Sequence, residues 1–382
     1  MRSRSKLFTG GVALTIAALN LTLIAPATAD IAPRATDIVG VGSDTLQNMA
    51  NFMSDGDTNG TSAGINAAGG KNRMFSFDAT PDANDRAGYL NGSTSTAQKP
   101  LNPTIVLRAG TSPVQRPNGS GSGINALLAD KTAPFKMNFS RSSRLPTVTE
   151  QNTAVANGFV GGLHVVKISN DNLKMATAAV TNAPASLTIA QVVDIFKCTT
   201  TNWSAIGGTA GTIIPVMPQA GSGTNGSFAA DMRAANGGVA VVLGACVQFS
   251  EEHDPAAITA SASPANAVMP FSEGRSNLYA SGYFFNPATV FPGSATPIQS
   301  GVKLLGGYVN NRGLYMVFRD ADKSSPIKWQ PGSTLNFVQA LFLNPVGAAP
   351  YVRSLDGQSA IAAGGGTPVY VDCGAGPGVT TC

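Results

Sequence analysis

Four times along this sequence, a short apolar run with β-strand character gives way to a loop of glycine and small hydroxyl residues. The loops are 42–45 (GSDT), 118–123 (NGSGSG), 140–143 (SRSS) and 220–224 (AGSGT). At least three of them open a segment with helical periodicity. Strands that alternate with helices favour an α/β protein with largely parallel sheets, in which the carboxyl ends of the strands converge on one crevice. We therefore predict that the four loops lie close together.

The periodicities also predict the main elements of the fold. Strands are expected at 38–41, 104–107, 135–139, 161–168, 213–216, 268–271 and 313–320, and helices at 46–53, 124–128, 187–198 and 335–343. We expect 161–168 to cross from one lobe to a second lobe, and 268–271 to cross back. The segment 57–103 is rich in Gly, Asn, Asp, Thr and Ser, and is predicted to be irregular or an exposed insertion.

The N-terminus has the pattern of a secretory signal peptide. Arg2, Arg4 and Lys6 precede the apolar stretch 7–24, and Ala27-Thr28-Ala29 fits a small-residue cleavage site. A polar residue and a proline interrupt the stretch and no basic flank follows, so a retained membrane anchor is the weaker interpretation. No cysteine lies near the cleavage site, so a lipid anchor is not indicated. We expect residues 1–29 to be removed and the protein to be secreted or held in the cell envelope or periplasm.

Charge and length narrow the class of protein further. Three of the 25 basic residues lie in the leader, which leaves 22 against 21 acidic residues. A nearly neutral chain lacks the electrostatic basis for general nucleic-acid binding. The remaining chain of roughly 350 residues exceeds one comfortable hydrophobic core, so two lobes are expected.

The chain contains four cysteines, Cys198, Cys246, Cys373 and Cys382. An even number in an exported chain favours disulfides, and four cysteines allow three pairings. We expect Cys198–Cys246 and Cys373–Cys382, because the second pair closes a short loop rich in Gly and Pro. A metal site is disfavoured, since there is no C-x-x-C spacing and only two histidines are present.

The hydroxyl- and glycine-rich loops have a chemical property in common. The first turn of a helix carries unpaired N–H groups and a partial positive charge, glycine allows close approach, and Ser or Thr adds hydroxyl donors. Such a helix start binds anions without a cationic side chain. Any single loop can equally be an ordinary N-cap. Four of them in one α/β chain favour an anion-binding crevice.

Other chemistries fit the sequence less well. There is no G-x-x-x-x-G-K-[ST] and no G-x-S-x-G with a central serine, so neither a P-loop nor a nucleophile elbow is supported. His253 lies in SEEHD (250–254), which is expected to be a solvated acidic surface turn. A hydrolase that uses His253 with a loop serine stays open as an alternative. Trp203, which follows the helix 187–198, is expected to pack in the core or at a hinge.

Taken in order, the motifs GVGSDT, GSGSG, FSRSS, IAQVVDIFKCTTTNWSAIGG and IPVMPQAGSGT resemble the phosphate-binding proteins of ABC phosphate importers. The resemblance covers most of the chain after the leader. It implies a two-lobed periplasmic-binding-protein type II fold of the α/β class, with a ligand cleft between the lobes. Residues 30–165 and 268–382 would form lobe 1, and residues 166–267 lobe 2.

The resemblance also implies a set of ligand-binding residues. Each loop contributes groups by its position in the motif: Ser43, Asp44, Thr45, Ser120, Gly121, Ser122, Ser140, Arg141, Ser142, Gln219, Ser222, Gly223 and Thr224. No cofactor and no metal is implied. The implied partner besides a small oxyanion is an ABC permease, which the sequence by itself neither requires nor excludes, and we expect a monomer.

Two departures from the family pattern bear on the ligand. The family usually has an Arg four residues before the G-S-G-T serine, where this chain has Pro218, followed by Gln219. The third family loop usually reads Ser-Asp, and the Asp accepts a proton-mediated hydrogen bond from hydrogen phosphate. We expect Asp44 to be that acceptor and Arg141 or Arg116 to be the cation, since a guanidinium pairs bidentately with oxyanions. The alternatives are an Asp44 that caps a helix and an Arg141 in a surface salt bridge.

The function expected from the sequence is therefore capture of phosphate or a related oxyanion without chemical turnover. The missing Arg and the missing lipid anchor favour an alternative, a binding or adhesion module for a sugar or peptide. A phosphomonoesterase on the same scaffold is the third hypothesis.

Overall fold

A computed structural model of the chain describes residues 32–56, 62–67, 72–79, 104–280, 301–330, 332–343 and 349–382. The predicted signal peptide lies outside these residues, as does most of the predicted irregular segment 57–103. Among the described residues, no helix combines the length and the hydropathy needed to cross a bilayer.

The described chain has a strand at or overlapping each predicted position, and further strands that were not predicted. They are β1 (Ile38–Gly42), β2 (Met74–Ser76), β3 (Thr104–Ile105), β4 (Val114–Gln115), β5 (Phe139–Ser142), β6 (Leu163–Ala178), β7 (Ser186–Leu187), β8 (Ile214–Pro218), β9 (Gln248–Ser250), β10 (Ala267–Ser272), β11 (Val302–Arg319) and β12 (Thr367–Ala375).

The helices include each of the four predicted ones. They are α1 (Gln47–Asp55), α2 (Ser120–Ala129), α3 (Val148–Ala156), α4 (Ile189–Phe196), α5 (Gly223–Ala235), α6 (Ala256–Thr259), α7 (Glu273–Ala280), α8 (Phe337–Leu341) and α9 (Leu355–Ala363). Short 3-10 turns connect several of these elements.

One large sheet carries the fold, with the strand order β2-β1-β5-β11-β6-β10-β8-β9. Within each of its two flanks the strands are parallel. In one flank β1 pairs with β2 and β5, and in the other β8 pairs with β10 and β9. The centre is antiparallel, since β11 runs along β6 from Val302 opposite Ala178 to Arg319 opposite Leu163. The predicted mixed α/β class with parallel strands is confirmed.

The two long central strands reach further than their sequence patterns indicate. The predicted strand 161–168 continues to Ala178 in β6, and the predicted strand 313–320 is the end of β11. β10, which contains the predicted crossing 268–271, pairs antiparallel with β6 and parallel with β8. It therefore lies inside the second flank, while β11 accompanies β6 along its length. The division into lobes 30–165 with 268–382 and 166–267 stays a prediction.

The helical stripes read from the sequence face the core. Leu46, Met49, Ala50 and Met53 at α1 are all buried, and they pack in one hydrophobic cluster with α8 and α9. Val192, Val193 and Phe196 of α4 belong to a second cluster around α5, which also contains Trp203. The expected core packing of Trp203 is confirmed. Burial of these apolar faces, rather than helix propensity, holds the short helices in place.

One predicted strand starts later than expected. The alternation Phe135, Met137, Phe139 predicts a strand, but β5 begins only at Phe139. The Asp130 carboxylate accepts the N–H groups of Lys136 and Met137 at 2.8 and 2.9 Å. Because a side chain takes these donors, no neighbouring strand can pair with them. Both disulfides form as expected, Cys198–Cys246 and Cys373–Cys382.

Candidate functional site

The four loops lie close together, as predicted. The N–H of Gly121 in α2 donates to the carbonyl of Gly221, which precedes α5, at 3.0 Å. The hydroxyl of Ser143, after β5, lies 3.2 Å from that of Ser120 and 3.5 Å from that of Ser43, after β1. β1 and β5 run antiparallel to β8, so the carboxyl ends of the two flanks face each other across the middle of β6 and β11, and the starts of α2 and α5 meet between them.

The start of α5 already holds an anionic group. Ser222 is the N-cap of this 13-residue helix, and its hydroxyl accepts the N–H of Asn225 at 3.0 Å. The same hydroxyl donates to Oε2 of Glu252 at 2.6 Å, and the N–H of Thr224 donates to that oxygen at 3.3 Å. Glu252 is fully buried, so its carboxylate is held by the hydroxyl, the helix N–H groups and the positive end of the helix.

The segment SEEHD is not the solvated acidic turn expected from the sequence. It follows β9, which pairs in parallel with β8, and this pairing places residues 251–253 at the same edge as the start of α5. Glu252 and His253 are both about 1% exposed. The hydrophobic periodicity and the charges of the sequence do not indicate this burial, because pairing with a distant strand determines the position of the short strand β9.

His253 is a hydrogen-bond donor toward the site. Its Nδ1 accepts the N–H of Ser272 at 3.1 Å, so in the neutral ring the proton is on Nε2. Nε2 lies 3.1 Å from the hydroxyls of both Thr45 and Thr224, and it links the loop after β1 to α5. Burial, helped by Arg312 and Arg275, lowers the pKa of His253 to about 3, so the ring is neutral at physiological pH.

This tautomer bears on two chemistries. The hydrolase alternative needs His253 to accept a proton from a hydroxyl, but Nε2 already carries one and Nδ1 faces a backbone N–H. Asp44, Glu252 and His253 place ligand-type atoms within 4.8 Å of one another, the composition of a divalent metal site. A metal-binding histidine offers one nitrogen and donates with the other. Here the second nitrogen accepts, so the arrangement does not suit a metal.

Asp44 is a buried carboxyl group whose environment favours the protonated form. Among the described residues, no donor lies within hydrogen-bond distance of either of its oxygens. Its nearest cation contact is Nη2 of Arg275, 3.8 Å from Oδ2. Burial and the negative charge of Glu252 raise the pKa of Asp44 well above its usual range. Burial disfavours the charged form of Glu252, but the hydrogen bonds from Ser222 and Thr224 lower its pKa, so Glu252 carries the charge of the pair.

Two arginines that the sequence reading did not select supply the positive charge. Arg312 of β11 donates from Nη1 to the Thr224 hydroxyl at 2.8 Å, and from Nε and Nη2 to Asp171 at 3.1 and 2.9 Å. Arg275 of α7 is 5% exposed, and its Nε and Nη1 have no partner among the described residues. Arg275 lies in SEGRS (272–276), between the predicted strand 268–271 and a helix, and this local signal could have found it. Arg312 lies within the long strand β11, where no local signal marks it.

The third loop contributes differently from the prediction. Ser140 and Ser142 donate to backbone carbonyls, those of Arg141 and Arg144, at 3.3 and 2.6 Å. Ser143, which the sequence reading passed over, is the residue whose N–H donates to the Ser120 hydroxyl at 2.9 Å. The loop therefore meets α2 one residue further along the chain than the resemblance implies.

The cations expected from the sequence have other contacts. Arg141 is fully buried, and it donates to the carbonyls of Ser43 and Gly42 at 3.0 and 3.1 Å and to the Ser76 hydroxyl. Burial lowers the pKa of Arg141 to about 10. Arg116 donates to the carbonyl of Asp78 at 2.8 Å. Arg141 thus fixes the end of β1 rather than presenting its guanidinium to the start of α5.

Gln219, at the position after the missing family Arg, binds the acidic segment. Its Nε2 donates to Glu251 at 2.5 Å, and its Oε1 accepts the N–H of Glu252 at 2.7 Å. Asn118 also donates to Glu251, at 2.9 Å. Ser122 lies beside these residues and lines a groove of about 400 Å³ with Arg116, Asn118 and Gln219.

A family model described as PBP superfamily domain matches residues 79–327, more than half of the chain. No curated protein matches the sequence significantly. Among solved structures, an ABC-type phosphate transport receptor from Vibrio cholerae is 14% identical with a TM-score of 0.44, covering 87% of this chain and 99% of its own. A human phosphate binding apolipoprotein is 15% identical with a TM-score of 0.48, covering 87% of this chain and 91% of its own. From the family match over residues 79–327, the chain belongs to the PBP superfamily.

Proposed function

We propose that this protein is an exported solute-binding protein that captures phosphate or a related oxyanion without chemical turnover. The ligand binds between residues 30–165 with 268–382 on one side and residues 166–267 on the other. Hydroxyls and helix N–H groups from the four loops surround it, among them those of Ser120, Ser222 and Thr224. A cleavable leader and the resemblance to importer components support export and an ABC permease as partner.

The observation that carries the proposal is the buried guanidinium of Arg275. Its Nε and Nη1 lack acceptors, although the side chain is 5% exposed. A buried donor without a partner costs about 1–3 kcal/mol, and more when the group is charged. An oxyanion at the start of α5 supplies the missing acceptors and pairs with the charge. Arg275 thereby takes the part that the family gives to the residue replaced by Pro218.

Asp44 supports a protonated oxyanion as the ligand. A ligand oxygen beside Asp44 needs a proton between the two groups, and hydrogen phosphate brings its own. Sulfate must rely on the proton of Asp44, which is lost as the pH rises. While Asp44 stays protonated, its O–H can donate to either anion. Above the pKa of Asp44 we expect phosphate to bind about 10- to 100-fold more tightly than sulfate, which corresponds to one buried unpaired acceptor, so the ratio of the two affinities should grow as the pH rises.

Calorimetric titration of the purified protein with phosphate and with sulfate tests the function. Arg275→Ala should abolish measurable phosphate binding, whereas Arg233→Ala, at the exposed far end of α5, should leave the affinity unchanged. Arg275→Lys keeps the charge but not the planar donor pair, and should bind with intermediate affinity. No heat with either anion at millimolar concentration, for wild type and Arg233→Ala alike, would falsify the phosphate proposal.

A neutral ligand is the second candidate, and the groove of about 400 Å³ favours it. Pro117, Asn118, Ser122 and Gln219 line the groove with mostly uncharged groups, which suits a sugar or a peptide. A thermal-shift panel of neutral ligands beside phosphate distinguishes the two candidates. Stabilisation by a neutral ligand, together with indifference to anions, would favour the binding or adhesion module.

A further inference from the structure

Glu252 makes the contacts that an oxyanion ligand would make. One carboxylate oxygen accepts from the Ser222 hydroxyl at 2.6 Å and from the Thr224 N–H at 3.3 Å. The starts of α2 and α5 touch on the same side, where Gly121 donates to the Gly221 carbonyl at 3.0 Å. A side chain of the protein thus lies at the helix start where phosphate is proposed to bind.

Residues on both sides of the site, Thr45 on one side and Gln219 and Thr224 on the other, bind the segment that contains Glu252. Gln219 holds the backbone N–H of Glu252 and the carboxylate of Glu251, at 2.7 and 2.5 Å. His253 reaches the hydroxyls of Thr45 and Thr224, each at 3.1 Å. Its backbone has a φ of 57°, a left-handed conformation that non-glycine residues adopt rarely, and these contacts maintain it.

The fit of Glu252 in the site is incomplete. Its second oxygen, Oε1, is buried without a hydrogen-bond donor, and so are both oxygens of Asp44. Nε and Nη1 of Arg275 are buried without an acceptor nearby. A tetrahedral oxyanion has more acceptor oxygens than one carboxylate and can meet Arg275 and the helix start together. The site therefore holds an occupant that satisfies only part of it.

We infer that Glu252 is an internal ligand of the oxyanion site, and that an external oxyanion, phosphate or a small carboxylate, binds by displacing it. The phosphate part of this inference rests on the proposed function. Displacement separates residues 251–253 from Gln219, Thr45 and Thr224, and it allows the walls of the site to part. The apparent affinity for the external ligand is reduced by the fraction of time that Glu252 leaves the site open.

Removal of the carboxylate tests the inference. Glu252→Ala should bind phosphate at least about tenfold more tightly than wild type, the factor for a site that Glu252 fills nine-tenths of the time. Acetate supplies the missing carboxylate, so millimolar acetate should raise the melting temperature of Glu252→Ala and leave wild type unaffected. Glu273→Ala, which removes a carboxylate paired with Lys174 and Asn172, is the matched control and should behave as wild type.

The outcomes separate this inference from the proposed function. Equal phosphate affinity in wild type and Glu252→Ala overturns the internal ligand and leaves phosphate binding intact. Stabilisation of Glu252→Ala by acetate, with no phosphate binding in either protein, supports the internal ligand and overturns the phosphate function. If Glu252→Ala responds to neither anion, the inference is wrong. Glu252→Gln keeps the shape without the charge. If the alanine variant folds poorly, Glu252→Gln serves the phosphate comparison, in which it should also bind more tightly than wild type.

Discussion

The Ser222 hydroxyl makes two separate contributions to stability, and Ser222→Ala removes both of them. The hydroxyl caps α5 by accepting the N–H of Asn225 at 3.0 Å, and it donates to the buried carboxylate of Glu252 at 2.6 Å. Loss of an N-cap hydroxyl costs about 1 kcal/mol. Loss of a hydrogen bond to a charged group costs about 1.5–3 kcal/mol more. We therefore expect Ser222→Ala to lower the free energy of unfolding by about 2.5–4 kcal/mol.

Thr188→Ala is the matched control, because Thr188 caps α4 without a buried charged partner. Its hydroxyl accepts the N–H of Gln191 at 3.2 Å on an exposed surface. This variant should lose only the cap, about 1 kcal/mol. Urea denaturation followed by tryptophan fluorescence gives both values from the shift in midpoint at constant slope.

A double-mutant cycle gives the sharper result. In the Glu252→Ala background, Ser222→Ala should cost only the cap, about 1 kcal/mol, and the coupling between the two sites should be about 1.5–3 kcal/mol. Equal losses for Ser222→Ala and Thr188→Ala, with no coupling to Glu252, would refute the reasoning that Ser222 stabilises a buried carboxylate.

Three further predictions concern a buried ion pair, a titrating carboxyl group and the two disulfides. Asp171→Ala leaves the buried guanidinium of Arg312 without its carboxylate partner, and thermal denaturation should show a loss of about 3–5 kcal/mol, whereas a loss below 1 kcal/mol would contradict this pairing. Burial and the charge of Glu252 raise the pKa of Glu251 from 4.5 to about 7. The contribution of Glu251 to the free energy of unfolding is therefore complete below about pH 4.5 and is lost as the pH rises through 7. Glu251→Gln should flatten the profile of stability against pH in this window, and an unchanged profile would contradict the prediction. Replacement of Cys198 and Cys246 by serine opens a loop with a sequence separation of 48 and should lower the free energy of unfolding by about 4 kcal/mol. Replacement of Cys373 and Cys382, with a separation of 9, should lower it by about 3 kcal/mol. Equal melting temperatures for the two variants would contradict the loop-closure explanation.

Much of the framework of the site could be predicted from local sequence. The loops at 42–45 and 220–224 follow apolar strands and precede helices, so their first-turn N–H groups lie at the strand ends. The loop at 118–123 opens α2 but follows β4, a two-residue strand of a separate sheet. The third loop shows the limit of this reasoning. Whether Ser142 or Ser143 meets α2 depends on the residue at which β5 ends, and a shift by one residue changes the side to which a side chain points.

The charged groups of the site could not be predicted in the same way. Arg312 comes from β11, which pairs with β6, and Arg275 from α7, which follows β10, another strand paired with β6; strand pairing brings both to the site. Arg141 lies in the expected motif, yet its guanidinium is taken by the carbonyls of Gly42 and Ser43. The type of a loop residue does not determine the orientation of its side chain.

The sequence by itself determined the alternation of strands and helices and the loops that open the helices. It favoured, among three possible pairings, the disulfide pairing that the structure has. These properties depend on periodicity, glycine and capping chemistry over a few neighbouring residues. Only the tertiary structure decided that Glu252 and His253 are buried at the start of α5, and that Gln219 holds them there. Their burial depends on the parallel pairing of β8 with the short strand β9, a contact between segments some thirty residues apart that leaves no trace in either one alone.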